Sequence, residues 1–189
     1  MYLFFDTETT GTPRNYKAPV TDLSNWPRLV QIAWILHDQN GATLAKECFI
    51  IKPNGFTIPA DASRIHGITT ENAQKNGADI LTVLNSFSSH IEPSQYLIAH
   101  NINFDKNIVG AEFLRAKMKN LVPNKKLICT MLSAVNYCAL NGPYGYKYPK
   151  LIELHHKLFN YSFDGAHGAL ADITATSKCF WEMRKRGLI

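Results

Sequence analysis

The sequence has no apolar run approaching the roughly 20 residues that a helix needs to cross a bilayer. Its apolar start, Tyr2-Leu3-Phe4-Phe5, is cut short by Asp6, and no basic stretch precedes it. Neither a membrane span nor a secretory leader is therefore expected. Cysteine is sparse and unpatterned. Cys48, Cys129, Cys138 and Cys179 form no CxxC pair and have no histidine at zinc-finger distance, which suits small core residues in a reducing compartment. Negative charge is the scarcer sign, with 15 Asp and Glu against 20 Lys and Arg, a net +5. Such a balance suits an anionic partner such as nucleic acid without requiring one. Repeats, low-complexity tracts and linkers are missing too, so 189 residues read as one cytoplasmic domain with one core.

What is present is a run of strands followed by an alternation. After Tyr2–Phe5 comes an irregular stretch between Gly11 and Arg28, rich in Pro, Asn and Thr. Leu29 to Leu36 and Thr43 to Ile51 read as strands joined by a hairpin whose signal is Asn40-Gly41. Ile80, Val83, Leu84, Phe87 and Ile91 recur on one face of a helix that Pro93 ends. Tyr96 to Ala99 is a short apolar strand. A helix with Phe104, Ile108, Ala111, Leu114 and Met118 on one stripe follows, then a strand at Leu127 to Cys129. Two more helical faces lie at Leu151 to Phe159 and from Leu170 to Trp181, the latter leading into the basic Arg184-Lys185-Arg186. Strands alternating with helices imply a parallel sheet for this half, hence an α/β fold with a mixed sheet.

Against this frame the acids stand out. Successive strand residues point to opposite faces, so Asp6 and Glu8 aim at one volume. Their repulsion is relieved most simply by a divalent cation, although acids are also ordinary where a strand end meets solvent. Asp105 falls in the first turn of the helix carrying Phe104, and Asp172 at the start of the last helix. Both could be first-turn acids favoured by a helix dipole. Ligands in α/β sheets bind where strands end and helices begin, however, and there these acids can meet. His167 precedes Asp172 by five residues, too far round a helix to share its face, and fits the entering loop between Gly165 and Gly168.

The ordered set DTETTG (6–11), HNINFD (100–105) and HGALAD (167–172) resembles the DEDD superfamily of 3′→5′ exonucleases, DnaQ-like proteins with a ribonuclease H-like fold. RLVQIAWI (28–35) looks like the family's second strand, RIHGITTENA (64–73) like its IHGIT segment, and YPKLIELHHKLFN (148–160) like the helix before the last motif. A His at 167, with Gly at 168, is similar to the subtype with histidine five residues before the final Asp. The segment between Gly11 and Arg28 departs from the family pattern at one rim of the site.

The resemblance implies a three-layer fold. Its five-stranded mixed sheet would be antiparallel in the first three strands, parallel in the remainder and flanked by helices. It implies a metal-dependent exonuclease domain over residues 1–189 that releases nucleoside 5′-monophosphates from single-stranded or frayed 3′ ends, with DNA slightly preferred. An RNA-trimming or short-oligoribonucleotide exonuclease is the nearest alternative, and a non-catalytic nucleic-acid or polymerase-binding module a further one. Two divalent ions, Mg²⁺ or Mn²⁺, are implied: Asp6 bridging both, Glu8 and Asp172 completing the first, and Asp105 holding the second. His167 would be general base. Backbone around Thr9 and Thr10 would meet the terminal nucleotide, and Asn101 a neighbouring segment or phosphate. Phe104 reads as core from its stripe, although a family aromatic near the site can stack on a base. His66 is expected to pack or hydrogen-bond beneath the site. A DNA polymerase or repair complex is a conceivable partner and a dimer is allowed. The stretch Tyr144 to Lys150 interleaves aromatics with lysines, as a single-strand platform or a solvated loop would. Lys117, Lys119, Lys125 and Lys126 fit either solubilising surface or phosphate contact.

Overall fold

In the computed structural model, residues 1–163 and 168–189 are described. Strand β1 (Tyr2–Thr9) is central because its first four side chains are buried on both faces. It pairs antiparallel with β2 (Leu29–His37), which pairs antiparallel with β3 (Thr43–Ile50). On its other side β1 runs parallel to β4 (Tyr96–Ala99), and β4 parallel to β5 (Lys126–Cys129). The sheet order is β3-β2-β1-β4-β5, the mixed arrangement expected.

The β2–β3 hairpin closes as its Asn-Gly signal suggests. Asp38 Oδ1 accepts from the N–H groups of Asn40 and Ala42, at 2.8 and 2.9 Å. Gly41 adopts φ of +87°, and a Cβ there would stand 3.2 Å from the Trp181 ring. Both the turn and the close approach call for glycine.

Helices cover both faces. Leu3, Phe5, Ile32 and Trp34 point into the larger core beneath α3 (Ile80–Ile91) and α4 (Ile102–Arg115). Tyr2, Phe4, Ala33 and Ile35 face Ile173 and Phe180 of α8 (Ala169–Lys185). Asp79 caps α3, its carboxylate accepting from Thr82 N–H at 3.1 Å. Helix α7 (Leu151–Phe159) joins α8 around Leu154, Leu158, Cys179 and Met183. No helix among the described residues is long and apolar enough to cross a membrane.

The Phe104 stripe overran its helix. Helix α4 starts at Ile102 and ends at Arg115, because Lys117 turns left-handed (φ +53°) and Met118 N–H folds back to Phe113 O at 2.9 Å. Met118 still packs on the core. Four short helices had given no periodicity: α1 (Ala60–His66), α2 (Thr70–Asn76), α5 (Thr130–Ser133) and α6 (Val135–Cys138). A small hairpin pairs β6 (Asn141–Gly142) with β7 (Gly145–Tyr146). All four cysteines are free. Cys138 and Cys179 are buried, and burial pushes the Cys179 thiol up to about 12.

Candidate active site

β1 carries its register past its apolar half. The face that presents Tyr2 and Phe4 to α8 presents Asp6 and Glu8 next, still within the strand and half-buried. Glu8 lies opposite Gln31 of β2, whose Oε1 accepts from the N–H of Ala169 at 3.4 Å and so holds the start of α8 beside it. One turn on, Asp172 completes a group in which one oxygen each from Asp6, Glu8 and Asp172 lies within 4.8 Å of the others.

Asp105 reaches the same end of the sheet from the opposite face. Thr7, between the two acids, points toward α4, and its N–H and O–H both donate to Asp105 Oδ1, at 3.0 and 2.7 Å. Asp105 is buried and stands outside the tight group, yet its charge is the second-largest influence on Asp6 after desolvation. Burial, then Asp105, Glu8 and Asp172 together hold the Asp6 carboxyl well above the usual range. Glu8 is pushed up to about 8 by burial and by Asp172 and Asp105. Asp105 rises to about 7 through burial, against the pull of its Thr7 bonds. Without counter-charge this crowding and burial favour protonation of the group. An oxygen-only, anionic set converging from three elements is the donor chemistry of a hard divalent cation, so the residues fit such an ion.

Other expected residues are placed as follows. Thr9 is buried and its hydroxyl donates to Gly11 O at 2.6 Å. The Thr10 N–H donates to Arg28 O, while its Oγ1 accepts from Arg28 N–H, both at 3.0 Å, which pins the chain just past the acids to the start of β2. Asn101 is left-handed (φ +70°) at the head of α4 and its side chain makes no cap bond. Phe104 is half-buried against the larger core, as its stripe suggests. His66 Nδ1 accepts from Ile68 N–H at 3.1 Å. Its Nε2 is buried, and the ring interacts with the Thr9 backbone. His167 lies outside the described residues. Of the basic residues, Lys125 Nζ donates to Glu92 O at 2.8 Å, Lys126 sits over the Tyr96 ring and Arg184 over Tyr2. Three groups near the site went unread. Thr7 orients Asp105. His100 joins Thr130 to Pro149. The third is Glu112, which is buried and takes Arg28 Nε at 2.9 Å and Arg115 Nη1 at 2.8 Å. Arg115 also donates to Leu23 O and Trp26 O, fastening the 12–27 segment to α4. Only the DTE spacing could have hinted at Thr7; the other two roles need the fold.

The family model RNase_T, described as an exonuclease, matches residues 3–180. DNA polymerase III subunit epsilon of Treponema pallidum (strain Nichols) is 31% identical over 117 residues, 62% of this chain and 48% of that protein. The structure of E. coli exonuclease I in complex with a dT13 oligonucleotide matches with a TM-score of 0.77 at 21% identity, covering 98% of this chain and 41% of that one. The zinc-bound form of the exonuclease I–ssDNA complex matches with the same score and identity, over 98% and 40%. The chain thus spans about half or less of the length of these relatives.

Proposed function

This chain belongs to the RNase_T family of exonucleases, and on that premise we propose that it is a metal-dependent 3′→5′ exonuclease. It acts on single-stranded or frayed ends, prefers DNA slightly to RNA and releases nucleoside 5′-monophosphates. The observation that carries this reading is the convergence of Asp6, Glu8 and Asp172 within 4.8 Å, with Asp105 electrostatically joined to them.

Asp6, Glu8 and Asp172 would hold one divalent ion, Mg²⁺ or Mn²⁺, and Asp105 with Asp6 a second. Such a pair, when bound, stabilises charge on the attacking and leaving oxygens of an in-line displacement at phosphorus. The residues of the chain do the rest. Thr7 keeps one oxygen of Asp105 occupied, which leaves the other for binding. The backbone past Glu8, braced by Thr10 against Arg28, receives the terminal nucleotide. Asn101 and Phe104, at the head of α4, border the next segment of substrate. His167 takes the proton of the attacking water, a role suited to an imidazole. A cytoplasmic polymerase or repair complex is the partner this reading favours, given the likeness to a polymerase subunit.

End-labelled DNA and RNA oligonucleotides incubated with Mg²⁺ or Mn²⁺ test the reading. A ladder shortening from the 3′ end is expected, faster on DNA. Binding without cleavage, or shortening from the 5′ end, would overturn it.

A further inference from the structure

Beyond β5 the chain forms the β6–β7 hairpin, and around it three tyrosines stand out of the surface. Tyr144 is fully exposed, and Tyr146 and Tyr148 are 54% and 63% exposed. None of the three rings has an aromatic or cationic partner among the described residues. Grouped exposed apolar side chains, unlike scattered ones, mark interaction surfaces.

The stem beneath them is braced by hydrogen bonds. Asn141 pairs with Tyr146 and Gly142 with Gly145, and Lys147 N–H donates to Leu140 O at 2.9 Å. The Glu153 carboxylate, in the first turn of α7, takes Lys147 Nζ at 2.5 Å and Lys150 N–H at 2.7 Å. The exit of the hairpin is tied to the sheet by His100, whose Nε2–H donates to Pro149 O at 3.0 Å while Nδ1 accepts from Thr130 Oγ1 at 3.0 Å. His100 directly follows β4. β4 pairs in parallel with β1 as far as Ile98 opposite Phe4, so His100, two residues on, leaves the sheet at the same end at which Asp6 follows Phe4. The hairpin is thus fastened to the edge of the sheet that carries the acids.

We propose that Tyr144, Tyr146 and Tyr148 form a stacking platform for the single strand that leads into the site, receiving bases on the 5′ side of the terminal nucleotide. Exposed rings on a braced stem stack on bases of any sequence at little ordering cost. Lys150, exposed, supplies charge for the phosphates between them, and Lys147 does so in part, being shared with Glu153. The proposal rests on the exonuclease reading for its direction along the strand, and its test separates the two.

Oligothymidylates of about 3 and about 16 nucleotides, fluorescently labelled at the 5′ end, are bound in Ca²⁺ and followed by anisotropy, for the wild type and for a triple variant, Tyr144→Ala, Tyr146→Ala and Tyr148→Ala. The longer strand is expected to bind about tenfold more weakly to the variant, and the shorter within about twofold of wild type. Replacing the same tyrosines by Phe restores affinity. Hydrolysis in Mn²⁺ of the p-nitrophenyl ester of thymidine 5′-monophosphate, which has no base 5′ of the reacting nucleotide to stack, is expected to be unchanged. Equal loss on both lengths, no loss on the longer strand, or wild-type protein that binds neither would overturn the platform. Tyrosine-dependent binding without ester hydrolysis would sink the exonuclease reading and leave the platform standing.

Discussion

At the scale of single residues, the acids oppose folding and serve chemistry. A carboxyl whose pKa is raised in the folded state stabilises it below the unfolded value and loses that contribution as pH rises through the folded one. For Glu8, raised to about 8, the window runs from about 4.5 to 8. The metal-free protein is therefore expected to melt at lower temperature at pH 8 than at pH 6, with Mg²⁺ or Mn²⁺ closing most of the gap. Asp6→Asn removes one repelling charge. It is expected to raise the Tm in EDTA at pH 8 by on the order of 5 °C, while lowering turnover about 1000-fold or more. A Tm that falls would contradict the repulsion. Thr7→Val deletes the 2.7 Å donor to Asp105 and keeps the backbone one. The Mn²⁺ concentration for half-maximal rate is expected to rise, and Thr7→Ser to restore it. Little of this was legible beforehand. The spacing of Asp6 and Glu8 shows that they share a face, but a threonine between two acids carries no pattern that says which distant carboxylate it steadies.

At the scale of elements, periodicity revealed what was long enough to repeat. Helices α3, α7 and α8 lie where their apolar faces put them, and the β2–β3 hairpin where Asn40-Gly41 does. Helix α4 was overdrawn because Met118 reaches the core from beyond a left-handed turn, so the apolar stripe outlives the helix. Helices of four to seven residues make too few turns to show a period, which is why α1, α2, α5 and α6 escaped notice. The 12–27 segment has no regular element, yet it is held by the buried carboxylate of Glu112 between Arg28 and Arg115. Glu112→Ala leaves two guanidiniums facing each other in a partly buried place, at an expected cost of about 3 to 5 kcal/mol in urea melts. Limited proteolysis of that variant is expected to begin within 12–27. Cleavage elsewhere would show that the segment is anchored by other means. Gly41→Ala meets both a positive φ and the Trp181 ring, for an expected loss of about 1 to 3 kcal/mol.

At the scale of the whole molecule, the mixed sheet followed from strands that first succeed one another and then alternate with helices, and its two helical layers from the family resemblance. The path of the chain across the site was less visible, because Asp105 and Asp172 arrive from opposite faces of the sheet. His100 adds a second pH limb. Burial lowers its pKa to about 4. Between about 6.5 and 4 the unfolded chain binds the extra proton, so stability falls as pH falls, by up to about 3 kcal/mol. The acids act oppositely from about pH 4.5 upward, so the two limbs overlap between about 4.5 and 6.5. Above that overlap only the acids act, and metal-free protein is expected to lose stability as pH rises toward 8, with divalent cation lifting that alkaline side. His100→Gln should flatten the acid side. A curve unchanged by that substitution would remove His100 as its cause.

The four acids are mounted on three elements made at different times: β1 first, α4 midway, α8 last. A chain still leaving the ribosome holds Asp6 and Glu8 but not Asp172, and a fragment cut before α8 never acquires it. On the proposed activity, cutting requires α8 in place, so a copy without it is expected to leave nucleic acid intact.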